Sequence, residues 1–258
     1  MIEAILVVFS KPKDGRDDDF NDWYTNIHIR DALRFRGAIA AQRFALSPDQ
    51  PQRLSGDFGW KYLALYDVFD AARFSREHWD NALTPRMMVT DSFDDTVLDD
   101  YHYYPLMFRN NDPDAAQRGG LIAEQLNAAP GQEAAFQDWY LDSYLPAAMQ
   151  RLGVQSGALL KFRPYGQLMP TAPAHAYFAF YRIADAACIT GWRNDRLLDD
   201  SPLVDHASMQ ITAWDKLTDR VTEDDVRHTS AAALAAEERA RARMGDKVMA
   251  GGKEKLKQ

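Results

Sequence analysis

Phe20-Asn21-Asp22-Trp23-Tyr24 returns in the second half of the chain as Phe136-Gln137-Asp138-Trp139-Tyr140, at a shift of 136 − 20 = 116 positions. Gly37 and Gly153 keep that shift, so motif and glycine are equally far apart in both copies. Further along, Arg43-Phe44 matches Lys161-Phe162, and Tyr62-Leu63-Ala64-Leu65-Tyr66 matches Tyr177-Phe178-Ala179-Phe180-Tyr181. Asp70-Ala71-Ala72 then matches Asp185-Ala186-Ala187. An ordered series of this kind is the signature of internal duplication. Four residues past the motif tyrosine the copies part: His28 stands in the first, Tyr144 in the second.

Periodicity gives each copy the same order of elements. Ala4 to Ser10 is an apolar, β-branched run suited to a strand buried on both faces. Asp17-Asp18-Asp19 places carboxylates at the positive end of a helix that starts near Phe20 and stops at Gly37. Strands over 40–46 and 60–68, a helix over 70–83 and a strand over 96–104 complete a β-α-β-β-α-β unit. The second copy predicts strand 120–126, helix 133–152, strands 156–163 and 174–183, helix 184–195 and strand 208–215. The expected organisation is a first ferredoxin-like unit over 1–108, a linker over 109–119 and a second unit over 120–220. A C-terminal helix and a disordered tail follow over 221–258.

One such unit packs both helices on one face of its sheet and leaves the other bare. Two units set face to face bury those faces and enclose a barrel, so the fold class is α+β, an intramolecular α/β barrel. In Tyr62-Leu63-Ala64-Leu65-Tyr66 alternation divides the tyrosines from the leucines. The apolar leucine face is expected to meet the helices. The faces carrying Tyr62 and Tyr66, and in the second copy Tyr177 and Tyr181, are expected to line the interior. Either a ligand or a tyrosine-rich core with satisfied hydroxyls fits there.

Composition narrows the function classes. With 258 residues, 46% of them hydrophobic, the chain has ample material for a core in each unit. A net charge of −8 without a basic stripe excludes a nucleic-acid partner. No run of 18 apolar residues occurs, so no membrane span is expected. The N-terminus reads as a strand and not as a signal peptide, and the single cysteine, Cys188, excludes an internal disulfide. A cytoplasmic setting is expected. There is no His-Glu-x-x-His, Gly-x-Ser-x-Gly, P-loop or Gly-x-Gly-x-x-Gly, so metalloprotease, α/β-hydrolase, NTPase and Rossmann readings have no support.

Phe20-x-x-Trp23-Tyr24-x-x-x-His28, followed by Ile29-Arg30-Asp31 and by Gly37-Ala38-x-x-Ala41-x-Arg43-Phe44, resembles the EthD-like branch of the dimeric α/β barrel superfamily. The resemblance covers about residues 1–218 and implies small ferredoxin-like units paired through their sheets, here fused in tandem. It also implies a range of activities: cofactor-free lyases, isomerases, cyclases and dehydratases, monooxygenases, haem enzymes, and members without known activity. The family pattern has His-x-Pro at this helix end. Here His28-Ile29-Arg30 lacks the proline and the second copy has Leu145-Pro146 without the histidine, which leaves His28 as the one inherited candidate.

Phe20, Tyr24 and His28 share a helix stripe, and an imidazole near neutral pH moves protons, a contribution of typically ~10²–10⁴-fold. The expected catalytic set is His28, Tyr24 and Glu124, the last a carboxylate in mid-strand where the first copy has Val8. The expected substrate-binding set is Tyr62, Tyr66, Arg43, Tyr144, Tyr177, Tyr181 and His102. His78 is read as a surface residue. The function read from these residues is a lyase or isomerase, dehydratase- or cyclase-like, without metal or organic cofactor. Its substrate is a small hydrophobic, aromatic or phenolic compound. Two alternatives stand beside it: a non-catalytic protein that binds aromatic ligands, and a haem-dependent or cofactor-free monooxygenase. The outer helices and the C-terminal helix offer surfaces for a homodimer.

Overall fold

The two halves of the chain build one closed barrel. The computed structural model describes residues 1–51, 58–110, 119–193 and 196–245. The first half runs β1 (Ala4–Pro12), α1 (Asp17–Trp23), a π-helical turn (Tyr24–His28), α2 (Ile29–Leu33), β2 (Ala38–Leu46), β3 (Tyr62–Val68), α3 (Ala71–Asn81) and β4 (Phe93–Asn110). The second runs β5 (Gly120–Leu126), α4 (Glu133–Trp139), a π-helical turn (Tyr140–Tyr144), α5 (Leu145–Ala148), β6 (Val154–Phe162) and β7 (Tyr177–Ile183). It continues through a 3₁₀ turn (Ala186–Ile189), α6 (Thr190–Arg193) and α7 (Arg196–Asp199) to β8 (Gln210–Lys216). A short β9 (Val221–Thr222), α8 (Glu223–Arg227) and α9 (Ala231–Met244) follow. Most of the linker expected over 109–119, and residues 246–258 of the helix and tail expected over 221–258, lie outside the described residues.

The strand order β3-β1-β4-β6-β7-β5-β8-β2 closes through a β2–β3 pairing, with β9 added to β2. The fourth strand of each unit pairs with the second strand of the other, β4 with β6 and β8 with β2. The barrel therefore has no free edge between the units. Inside it, Ile5, Val7 and Phe9 of β1 meet Phe178, Phe180 and Trp214. The alternate residues Leu6 and Val8 point out to the helices, which is why β1 is buried on both faces.

The tyrosine faces point the opposite way from the sequence expectation. Leu63 and Leu65 belong to the barrel interior, whereas Tyr62, Ala64 and Tyr66 pack under the helices with Phe20, Trp23 and Tyr24. Tyr177, Ala179 and Tyr181 do the same in the second unit. For Tyr62, Tyr66 and Tyr181 the reason is hydrogen bonding: the barrel interior is mainly aromatic and aliphatic, with Arg182 already paired to Gln42, while the helix layer supplies partners for these hydroxyls. Tyr62 donates to Asp17 Oδ1 at 3.0 Å, and Tyr66 donates to the Tyr24 hydroxyl at 3.3 Å.

Each first helix contains the same irregularity. Ile29 N–H bonds to the Tyr24 carbonyl and Leu145 N–H to the Tyr140 carbonyl, the i→i+5 pattern of a π turn. The helices end at Leu33 and Ala148, four and five residues before the glycines expected to end them, and a turn carries the chain on to each glycine. Gly37 has φ +109°, and a Cβ there would lie 2.5 Å from the Asp70 carbonyl. The C-terminal α9 docks on this first helix segment through a buried ionic cluster. Glu237 accepts from Arg30, Arg34 and Arg241, and Arg241 also donates to Asp31. Among the described residues no helix is long and apolar enough to cross a membrane.

Candidate functional site

Between the outer face of the first unit's sheet and its helices lies a cavity of about 450 Å³. Its floor is Leu6 and Val8 of β1 with Tyr66 of β3, and its ceiling is Trp23, Tyr24 and His28 of the first helix segment with Phe74 and His78 of α3. Leu168 to Thr171, from the β6–β7 connection of the second unit, close one side. This connection is tied down at three points. The Tyr104 hydroxyl donates to the Tyr165 carbonyl, Ser75 donates to the Gly166 carbonyl, and Gln167 bridges the backbone N–H and carbonyl of His102. The first cavity is thus walled partly by the second unit.

Three of the expected residues meet here. The Tyr24 ring meets His28 edge-on at 4.7 Å, the Trp23 ring lies 4.6 Å from the imidazole, and the hydroxyls of Tyr24 and Tyr66 touch. Because Tyr66 donates in that pair, the proton of Tyr24 is available to a ligand oxygen. His28 Nδ1 is buried and has no hydrogen-bond partner in the protein. Burial, with His78 and Arg43 nearby, pushes the imidazole well below its ordinary pKa, so His28 is neutral at pH 7. Burial raises Tyr24 to about 12 and holds Tyr66 well above its ordinary value, so both hydroxyls stay protonated donors.

Two further polar groups on the wall lie outside the expected site set. His78 is not a surface residue: its ring lies 6.3 Å from that of His28, its Nδ1 is unpartnered, and burial lowers it to about 4. Asp100 of β4 lies opposite Val8, is 9% exposed, and leaves Oδ1 without a partner. Burial, reinforced by Asp99, raises this carboxyl to about 7. The signal for Asp100 was present in the alternation of β4. Asp100, His102 and Tyr104 share the helix-facing side, while Tyr101 and Tyr103 enter the barrel.

The other expected residues stand elsewhere. Arg43 is fully buried beneath the Tyr24 ring, 4.3 Å from its centroid, and donates to Asn21 Oδ1 and Thr25 Oγ1. It is not on the cavity wall, and its role is to hold the first helix on the sheet. Tyr62, bonded to Asn21 and Asp17, is also off the wall. His102 is buried against Phe74 with both ring nitrogens unpartnered, behind the cavity surface.

Glu124, Tyr144, Tyr177 and Tyr181 lie in the second unit and share no cavity with His28. Glu124 is fully buried and not open to water. Its oxygens accept from Tyr140 at 2.6 Å, from Tyr144 at 2.8 Å and from Trp192 Nε1 at 2.8 Å. Burial raises its pKa despite those donors. Tyr140 also bonds to Tyr181, and Tyr177 packs on Phe136 at 4.7 Å. No group of three or more histidine, cysteine or acidic side chains is arranged to hold a metal ion among the described residues.

No family model matches the chain. A curated relative, core atranone cluster protein 1 of Stachybotrys chlorohalonatus, is 35% identical over 74 residues, which is 28% of this chain and 29% of that protein. The match thus spans less than a third of the relative's length. Among solved structures, an anthrone oxidase-like protein superimposes with a TM-score of 0.58 at 9% identity, covering 86% of this chain and 93% of the other. A candidate monooxygenase of Fusobacterium nucleatum gives 0.57 at 9% identity, covering 86% and 94%. One of Lactobacillus acidophilus gives 0.52 at 5%, covering 86% and 97%. Likeness at this identity shows the fold, the dimeric α/β barrel built from ferredoxin-like units.

Proposed function

We propose that the chain is an enzyme that takes a small hydrophobic, aromatic or phenolic molecule into the first-unit cavity and moves a proton on it through His28, as a lyase or isomerase without metal or organic cofactor. The observation that carries this reading is the neutral imidazole of His28, with an unpartnered Nδ1, on the wall of a largely apolar cavity of about 450 Å³. Such an imidazole accepts a proton from an acidic C–H or O–H and returns it to another carbon, which is isomerisation, or to a departing hydroxyl, which is dehydration. Tyr24, with its own proton free to donate, stabilises the oxyanion that develops meanwhile. The EthD-like motif ending in His28 supports the same reading.

The test is solvent deuterium incorporation and product formation, followed by NMR, across hydroxylated aromatic and phenolic ketone compounds. The His28→Ala protein should lose about 100-fold or more of the turnover seen with wild type. Turnover within about threefold of wild type would overturn the assignment.

A second reading is oxygenation without an added cofactor, with dioxygen as the oxidant of the deprotonated substrate. The fold shared with candidate monooxygenases and an anthrone oxidase-like protein favours it. It begins with the same proton abstraction. Dioxygen uptake by wild type that stops in His28→Ala would select it over the non-oxidative reading. A ligand returned unchanged by wild type, with affinity indifferent to His28, would instead mark a binding protein.

A further inference from the structure

We infer that Asp100 sets the charge selectivity of the cavity, so that it takes an uncharged, hydroxyl-bearing aromatic molecule and rejects carboxylates, phosphate esters and other anions. The inference rests on the proposal that this cavity is the ligand site, and adds to it what kind of ligand is admitted. Among the described residues no lysine or arginine lines the cavity, whereas Asp100 lies on its wall and Asp95, exposed, at its rim. Arg43 lies behind the Tyr24 ring, off the cavity wall, and its terminal nitrogens donate to Asn21 and Thr25. From α3 the facing group is His78 and from the first helix His28, both held neutral. The remaining polar neighbours are the protonated Tyr24 and Tyr66.

An anion in this space therefore has no ion-pair partner and faces a buried carboxylate across a poorly screening medium. A hydroxyl on a neutral ring is suited to it instead. Asp100 Oδ1, His28 Nδ1 and His78 Nδ1 all lack partners, and a phenolic O–H supplies the donor that Asp100 lacks. An anion enters only if Asp100 first takes up a proton. With the carboxyl at about 7, that costs about one factor of ten at pH 8.

The experiment uses three probes with one ring system: 2-naphthol, 2-methoxynaphthalene and 2-naphthoate. Each is titrated by quenching of tryptophan fluorescence, since Trp23 and Trp79 line the cavity. With wild type at pH 8, 2-naphthol should bind about tenfold or more tightly than 2-naphthoate, with the methoxy compound between them. In Asp100→Asn the gap between 2-naphthol and 2-naphthoate should shrink about tenfold. A second measurement needs no variant: wild type at pH 6, where Asp100 is protonated, should narrow the gap similarly.

An unchanged ratio in either measurement, or naphthoate binding as tightly as naphthol at pH 8, overturns the inference. Binding is read here without turnover, so the two proposals fail separately. Charge selectivity with a fully active His28→Ala protein would sink only the catalytic role. An inactive His28→Ala protein with no selectivity would sink only this one.

Discussion

Val8 of β1 pairs with Asp100 of β4, and at the matching place in the second unit Glu124 of β5 pairs with Ile211 of β8. Each unit thus buries one carboxyl on the helix-facing side of its sheet at the same level, carried by opposite members of the strand pair. In the second unit Tyr140, Tyr144 and Trp192 close on Glu124 with three hydrogen bonds. In the first, His28 replaces the tyrosine at 144, Asp100 keeps an unpartnered oxygen, and the space beside them is a cavity. The two-unit scaffold uses one carboxyl for its own cohesion and leaves the other without a protein donor on one oxygen. A buried polar group without a partner costs stability, and such costs persist where a ligand or a reaction supplies the missing partner.

The largest expected effect tests the closed half of this comparison. Glu124→Ala removes the acceptor of three buried donors and leaves a void, so chemical denaturation should show a loss of about 3–5 kcal/mol. Asp100→Asn in the open half should be neutral or stabilising at pH 7, since no protein donor is lost and a carboxyl that resists ionisation is replaced by a neutral group. Equal losses from the two variants would mean that the carboxyls do not differ in the way their hydrogen bonding indicates.

The next effect is a pH slope. Asp100 titrates at about 7 in the folded protein and near 3.9 in an unfolded chain, so the folded state binds the extra proton between these values. Its contribution to stability is complete below about pH 4 and is lost as pH rises through about 7, on the order of 4 kcal/mol in all. Glu124, raised in the same direction, adds a slope of the same sign. Urea melts of wild type and Asp100→Asn from pH 4.5 to 7.5 separate the two. The variant should keep the part due to Glu124 and lose the part due to Asp100. Parallel curves would place the Asp100 carboxyl in ordinary titration.

What the sequence disclosed and what it hid follow from the range of the forces involved. The repeat of motifs, the β-α-β-β-α-β order and the turns that need a left-handed glycine at 37 and 153 are local or periodic, and the barrel follows from them once each sheet must cover its bare face. Which face of β3 turns inward is not local. Tyr-Leu-Ala-Leu-Tyr alternates equally well both ways, and the choice depends on whether Asp17, Asn21 and Tyr24 on another element can satisfy the hydroxyls. The same limit explains Arg43: a cation in mid-strand looks like an anion receptor until Asn21, Thr25 and the Tyr24 ring are placed around it. His28 was legible because its copy differs from it. Asp100 is legible in the alternation of β4 but not in the repeat, since its counterpart in the second unit is an isoleucine and the matching carboxyl sits on the neighbouring strand.

The smallest effect bears on whether the second unit is only a support. Its β6–β7 connection lays Leu168 to Thr171 along the first unit's cavity, and Gly166 is the point where that connection presses on α3. Gly166 has φ +62°, and a Cβ there would meet Ala71 Cβ at 2.9 Å and the Ala72 nitrogen at 3.0 Å. Gly166→Ala therefore combines a left-handed backbone with a contact that α3 can relieve only by letting the connection lift. The loss of global stability should be small, about 1–2 kcal/mol, because the strain is released locally. The cavity should feel it more. Binding of 2-naphthol should weaken several-fold, while the stability difference between Glu124→Ala and its parent stays the same in the Gly166→Ala background. If 2-naphthol binding is untouched, the second unit contributes no working wall, and the division of labour between the halves is complete.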